Sequence, residues 1–198
     1  MNDYFEVFEL PRKLQVDLDA LQRRFYELSR LHHPDFHRMA GEDDQAAALE
    51  RSALINRAYR ALRDPLARVE YLIALEEGRE TKEAAGVKPK PPTDLLEEML
   101  EVQEALEGAK TSGLDARARE RLARERQGLM ERRAAGDAAI VDRFVEWDRA
   151  IDTSGGREPL LEWFKEALAT RAYLRTVIDD LGDALGEDQD AHVSHRRH

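Results

Sequence analysis

The sequence predicts an all-α protein: four helices, then an antiparallel bundle of three longer ones, bent or L-shaped overall. Three observations predict it. Only 11 glycines and 7 prolines interrupt 198 residues, while Ala, Leu, Glu and Arg, strong helix formers, fill much of the text. Apolar residues recur at spacings of three and four rather than alternating, the periodicity of one helix face. A stretch holding Gly78, Gly86, Pro89, Pro91 and Pro92 separates two such blocks, so two units with separate cores are expected.

In the first block, Asp3 to Leu10 carries Tyr4, Phe5, Val7, Phe8 and Leu10, a short aromatic helix ending at Pro11. Asp17 stands where an N-cap belongs. Leu18, Leu21, Phe25, Leu28 and Leu31 then mark one face of a second helix, stopped by Pro34 because the residue before a proline is pushed out of the α region. Phe36 to Asp44 reads as a polar loop. Gln45 to Arg63 is a third helix, antiparallel to the second, with Leu49, Ala53, Ile55, Ala58, Tyr59 and Leu62 as its apolar positions. Asp64 breaks it, and Pro65 suits the first turn of a fourth. That segment buries Leu66, Val69, Tyr71, Leu72, Ile73 and Leu75 in an arrangement the pattern leaves open.

Glu76 to Thr93 reads as a linker. Thr93 or Asp94 then caps a helix bearing Leu95, Leu96, Met99, Leu100, Val102 and Leu106 among five glutamates, with Gly108 and Gly113 at its end. Asp115 opens a highly charged helix with apolar points at Leu122, Leu129 and Met130. A mid-helix glycine costs only about 1 kcal/mol, so this helix either continues through Gly136 or breaks there. The pattern resumes at Ile140, Val141, Phe144, Trp147 or Asp148, and Ile151. After the Ser154-Gly155-Gly156 turn, a last helix runs from about Glu158 to Leu185. The expected spans are 1–75, a linker at 76–93, a helical domain at 94–186 and a disordered tail at 187–198.

Charge and composition exclude several functions. With 31 Lys and Arg against 41 Asp and Glu the formal net charge is -10, and the isoelectric point is about 5.2. Such a chain gains little from counterion release, so nucleic acid is not an expected partner. The absence of cysteine rules out disulfides, thiol nucleophiles and thiolate-held metals or clusters. The first residues have neither a basic stretch nor an apolar core, and no apolar run approaches the roughly 20 residues that span a bilayer. A cytoplasmic protein with no membrane partner is expected.

His33-Pro34-Asp35 follows the second helix directly. Pro34 ends that helix and turns the next side chains toward solvent, where Asp35 can accept a bidentate hydrogen bond from a partner's arginine. No nucleophile or oxyanion site accompanies the pair, so no catalysis is expected. Alone, the tripeptide could equally be a helix stop. It stands, however, between two amphipathic helices, with Asp3-Tyr4-Phe5 and Leu10-Pro11 before it and Leu21, Phe25 and Leu28 on the preceding helix. The run Ile55-Asn56-Arg57-Ala58-Tyr59-Arg60-Ala61-Leu62-Arg63-Asp64-Pro65 follows. From about Asp3 to Leu75 the chain resembles the J domain, the module by which co-chaperones engage seventy-kilodalton heat-shock chaperones. The resemblance implies that His33, Pro34, Asp35, Arg23, Arg24, Arg30 and Asn56 meet the chaperone and bias it toward ATP hydrolysis. Tyr26 and Glu27 depart from the family by occupying positions that are often basic.

Beyond the linker there is neither a Gly/Phe-rich stretch nor a β-rich region. The layout is similar to the J-proteins of iron–sulfur cluster assembly, the HscB family, and Asp64 to Leu72 resembles that family's passage into the fourth helix. That resemblance implies a scaffold-binding patch at Leu96, Glu97, Leu100, Glu101 and Glu104, with Tyr173 adding an aromatic. At about 100° per residue, positions 97, 100, 101 and 104 lie along one stripe. An apolar centre with an acidic rim can bury a partner's apolar surface and recruit its cations; a plain bundle core with solvated acids is the alternative. His32, His33, Asp35 and His37 lack a metal-ligand spacing, and no metal or cofactor is expected. The function that follows is a non-enzymatic co-chaperone that stimulates the chaperone's ATPase and delivers the iron–sulfur scaffold protein to it. The rival readings are a J-protein for another client and a small helical metalloenzyme.

Overall fold

A computed structural model describes residues 3–33, 41–78, 100, 102–104, 106–108, 114–153 and 155–186. Among these the regular elements are all helical: α1 (Tyr4–Val7), α2 (Leu18–Leu31), α3 (Glu42–Arg63), α4 (Pro65–Glu76), α5 (Ala116–Asp142), α6 (Phe144–Thr153) and α7 (Glu158–Leu185). Residues 100, 102–104 and 106–108 are helical as well. The chain divides into two compact units, one of Met1–Ala85 with Ile140–Phe164, the other of Gly86–Ala139 with Lys165–His198. Residues 140–164, which the sequence placed in the C-terminal helical domain, thus group with the N-terminal helices. The linker residues from 79 onward and the tail from 187 lie outside the described residues.

In the first unit the helix starts follow from local chemistry. Asp3 caps α1 by accepting from Phe5 N at 2.9 Å, and Asp17 caps α2 by accepting from Ala20 N at 2.9 Å. Asp64 caps α4 twice, through Leu66 N and Ala67 N at 3.0 and 2.8 Å, with Pro65 in the first turn. Each aspartate satisfies amides that the first helical turn leaves without partners. Helix α3 packs against α1, α2 and α4, over a core holding Phe5, Leu14, Leu21, Ile55, Leu62 and Leu72.

The apolar stripes are buried at their middles and open at their ends. Leu21 and Leu28 of α2 are buried, but Leu18 and Leu31, its first and last residues, are 49% and 65% exposed. On α3 the inward positions are Ala48, Leu54, Ile55, Ala58 and Leu62; Leu49, expected inside, is 61% exposed. Helix α3 also starts at Glu42, three residues ahead of the expected Gln45.

In the second unit Val102, Leu106, Leu122, Leu129, Tyr173, Leu174, Val177, Ile178, Leu181 and Leu185 form one core. Arginines of α5 reach carbonyls near the end of α7: Arg119 donates to Leu185 O at 2.6 Å and Arg126 to Ile178 O at 3.2 Å. The Arg126 guanidinium passes close to Gly182, where an added Cβ would stand 3.4 Å from it, at van der Waals contact. Helix α5 runs through Gly136 without interruption and ends at Asp142, with Arg143 a turn before α6.

Candidate functional site

Helix α2 carries most of the cations singled out in the sequence. Arg23 and Arg30 are exposed. Arg24 is engaged within the unit, 2.7 Å from Glu9 and 3.2 Å from Glu27. The hydrogen bond to Glu27, then the field of Glu9, hold its guanidinium pKa above the usual value, and the same two carboxylates offset its positive field. Below these residues Phe25 stacks on Tyr59 of α3, with ring centroids 4.1 Å apart. Tyr26, at a position the J-domain pattern often makes basic, is 61% exposed.

Helix α2 ends at Leu31, and His32 N closes it on Leu28 O at 3.0 Å. His33 follows and is exposed; Pro34, Asp35 and His37 lie outside the described residues. Asn56 is half-buried, and its Nδ2 donates to Ser52 O at 2.9 Å. Its donor is therefore directed into its own helix.

The segment leading into α2 is held by residues for which the sequence offered no motif. Asp148 of α6, 7% exposed, accepts from Leu14 N at 2.7 Å and Gln15 N at 3.0 Å. The buried Trp147 donates through Nε1 to Arg12 O at 3.3 Å. Lys13 pairs with Asp152 at 2.7 Å. Arg68 of α4, 4% exposed, donates to the carbonyls of Leu14 and, at 2.7 Å, of Leu62. Desolvation lowers the Arg68 pKa, against the fields of Asp64 and Asp148. Arg68 thus satisfies a carbonyl at the end of α3, where a helix leaves its last acceptors open. A lone Asp, Arg or Trp carries no sequence signal for such a contact.

A second network fixes α1. Tyr71 OH accepts from Tyr4 N at 2.8 Å and donates to Asp3 Oδ1 at 3.3 Å, while Arg12 Nε reaches Asp3 Oδ2 at 2.7 Å. The Tyr4 and Tyr71 rings stack at 4.2 Å. Burial, above all, pushes the Tyr71 phenol up to about 12.

In the second unit, Leu100 is 58% exposed and Glu104 is exposed, whereas Val102 and Leu106 are buried in the core. Residues four apart share a helix face and residues two apart lie on opposite ones, so this helix puts Val102 and Leu106 inward and Leu100 and Glu104 outward. Leu96, Glu97 and Glu101 fall outside the described residues. Tyr173 is 8% exposed and part of the core, its phenol pKa raised by desolvation. Its ring therefore packs within the unit instead of standing out beside Leu100.

A family model described as the DnaJ domain matches residues 3–71. Among solved structures, the chain is similar to the chaperone HscB from Vibrio cholerae, at 25% identity and a TM-score of 0.54, covering 96% of this chain and 99% of that one. It also shares its fold with human co-chaperone protein HscB, at 23% identity and a TM-score of 0.53, covering 96% and 83%.

Proposed function

From the premise that this is a J-domain protein with the whole-chain fold of the HscB co-chaperones, we propose that it stimulates ATP hydrolysis by a seventy-kilodalton heat-shock chaperone and delivers an iron–sulfur scaffold protein to it. The chain performs no chemistry itself. Its exposed Arg23 and Arg30, on the helix that leads to His33, meet an acidic surface of the chaperone. Docking favours the chaperone's hydrolysis-competent arrangement over its resting one, which is all that a binding partner can do to such an equilibrium. No helix among the described residues is long and apolar enough to cross a membrane, and we place the protein in the cytoplasm.

The observation that carries the client-binding half is the outward placement of Leu100, 58% exposed, beside an exposed Glu104. An isolated exposed leucine means little. Here it shares a face with an acid on a helix whose other face already fills the core, so it remains available to a partner with an apolar surface and a nearby cation. Holding chaperone and client on one chain raises the effective concentration of each for the other.

The test is the chaperone's ATPase rate with this protein, with and without the purified scaffold. Stimulation should vanish in His33→Gln, and the scaffold's added effect should vanish in Leu100→Asp while basal stimulation survives. Scaffold-independent stimulation in the wild type would leave a J-protein serving another client.

A further inference from the structure

The J-domain match ends at Tyr71, yet the compact unit around it takes in Ile140–Phe164. The reason is visible at Leu14. Its side chain is fully buried, its N–H goes to Asp148, and its carbonyl goes to Arg68. Gln15 N adds a second bond to the same carboxylate. Only Gln15 and Val16 separate this point from Asp17, the cap of α2. With consecutive Cα atoms about 3.8 Å apart, two residues leave little slack.

We propose that Asp148 is a positioning residue for the chaperone-facing side of α2: from α6 it fixes the Leu14–Gln15 backbone, and through it the start of the helix that bears Arg23 and Arg30 and leads to His33. The role rests on the chaperone reading above. A helix of this length is about 20 Å long, so a rotation of about 10° at its first turn carries its far end by about 3 to 4 Å. That is enough to misplace a docking surface. A contact serving burial alone would be apolar, because a buried carboxylate loses its hydration and regains it only through well-placed donors. Asp148 has two such donors, adjacent backbone amides, and a carboxylate accepting both fixes position and orientation together. Trp147 to Arg12 O and Lys13 to Asp152 extend the same attachment over the two residues that precede the amide pair.

The experiment uses the full chain as wild type, Asp148→Ala and Asp148→Asn. Amide hydrogen exchange is read at Leu14 and Gln15, and chaperone ATPase is titrated with each protein. In Asp148→Ala, exchange at those two amides should rise about tenfold or more, the worth of hydrogen bonds to a charged acceptor. The concentration for half-maximal stimulation should rise about fivefold to tenfold with the plateau kept, because the His33 loop itself is intact. Asp148→Asn should fall between, since its single carbonyl oxygen can keep one amide bond; it carries the test if Asp148→Ala does not fold. Faster exchange with superimposable titrations would overturn the positioning role, as would unchanged exchange or a lost plateau. A wild-type protein that fails to stimulate overturns the chaperone reading and this role with it. Failure of the positioning role alone is distinguishable, because wild-type stimulation then stands.

Discussion

The two units are held together by different chemistry. In the first, three charged residues are buried among the described ones, Asp3, Arg68 and Asp148, each hydrogen-bonded to main-chain groups distant in sequence or at a helix end. In the second, no charged residue is buried among the described ones, and the core is aliphatic apart from Tyr173. Apolar contacts are non-directional and accept repacking at conserved volume, whereas a buried hydrogen-bonded group accepts one geometry. The first unit is therefore specified more narrowly than its hydrophobic content requires. Under the proposed chaperone reading, that suits a surface whose cations keep fixed spacings.

The sharpest test of this contrast pairs a polar and an apolar substitution. Arg68→Ala strands the carbonyls of Leu14 and Leu62 and empties a buried volume, so it should cost about 3–5 kcal/mol. Leu181→Met, in the second core, keeps its volume and should cost less than about 1.5 kcal/mol. Urea midpoints decide it. Both tryptophans, Trp147 and Trp163, lie in the first unit, so their fluorescence reports that unit while circular dichroism follows all helices. Comparable losses from the two variants would break the comparison.

Next in size is an alkaline effect in the first unit. The Tyr71 phenol is pushed up to about 12, chiefly by burial, from an ordinary value of 10.0. The folded state thus favours the neutral phenol. Its contribution is whole below pH 10 and is lost as pH rises through about 12. A shift of this size is worth about 2–3 kcal/mol. Ionisation would also set a phenolate against Asp3, to which the hydroxyl now donates. Between pH 10 and 12 the tryptophan-reported stability of the wild type should fall by more than that of Tyr71→Phe. Parallel curves would remove Tyr71 from the account.

What the sequence disclosed and what it did not divide along the same line. Asp17 and Asp64-Pro65 were legible as helix starts because a cap acts on its own next turn. Leu21, Phe25 and Leu28 were legible because periodicity is local. The last helix, read as running from about Glu158 to Leu185, spans Glu158–Leu185. Asp148 was not legible, and stood only as an alternative to Trp147 in a stripe, because its bonds span more than a hundred residues of chain. Assigning residues 140–164 to the C-terminal domain followed from the same blindness. Tyr173 was read as adding an aromatic to the binding patch and is 8% exposed in the core, since an aromatic in an apolar stripe looks alike in both places. Leu100 and Val102 could not be told apart by composition; only the buried partners of Val102 and Leu106 chose the inward face.

The smallest expected effect uses an asymmetry among the helix starts themselves. Helices α1, α2 and α4 each begin with an aspartate whose side chain accepts an amide, whereas α3 begins at Gly41 with no side-chain cap. Gly41 has φ -63 and ψ 163, extended values that any residue adopts, and an added Cβ there would meet nothing within 4 Å. Its glycine is therefore not demanded by backbone or by space. Serine would supply the missing acceptor and reduce the freedom of the unfolded chain, while adding no charge beside the acids Glu42, Asp43 and Asp44. Gly41→Ser should stabilise the protein by about 0.5 kcal/mol, raising the midpoint of thermal unfolding by about 1–2 °C. Differential scanning calorimetry of the two proteins would show it. A fall in the midpoint would mean that the start of α3, unlike the other three, is selected for something other than helix stability.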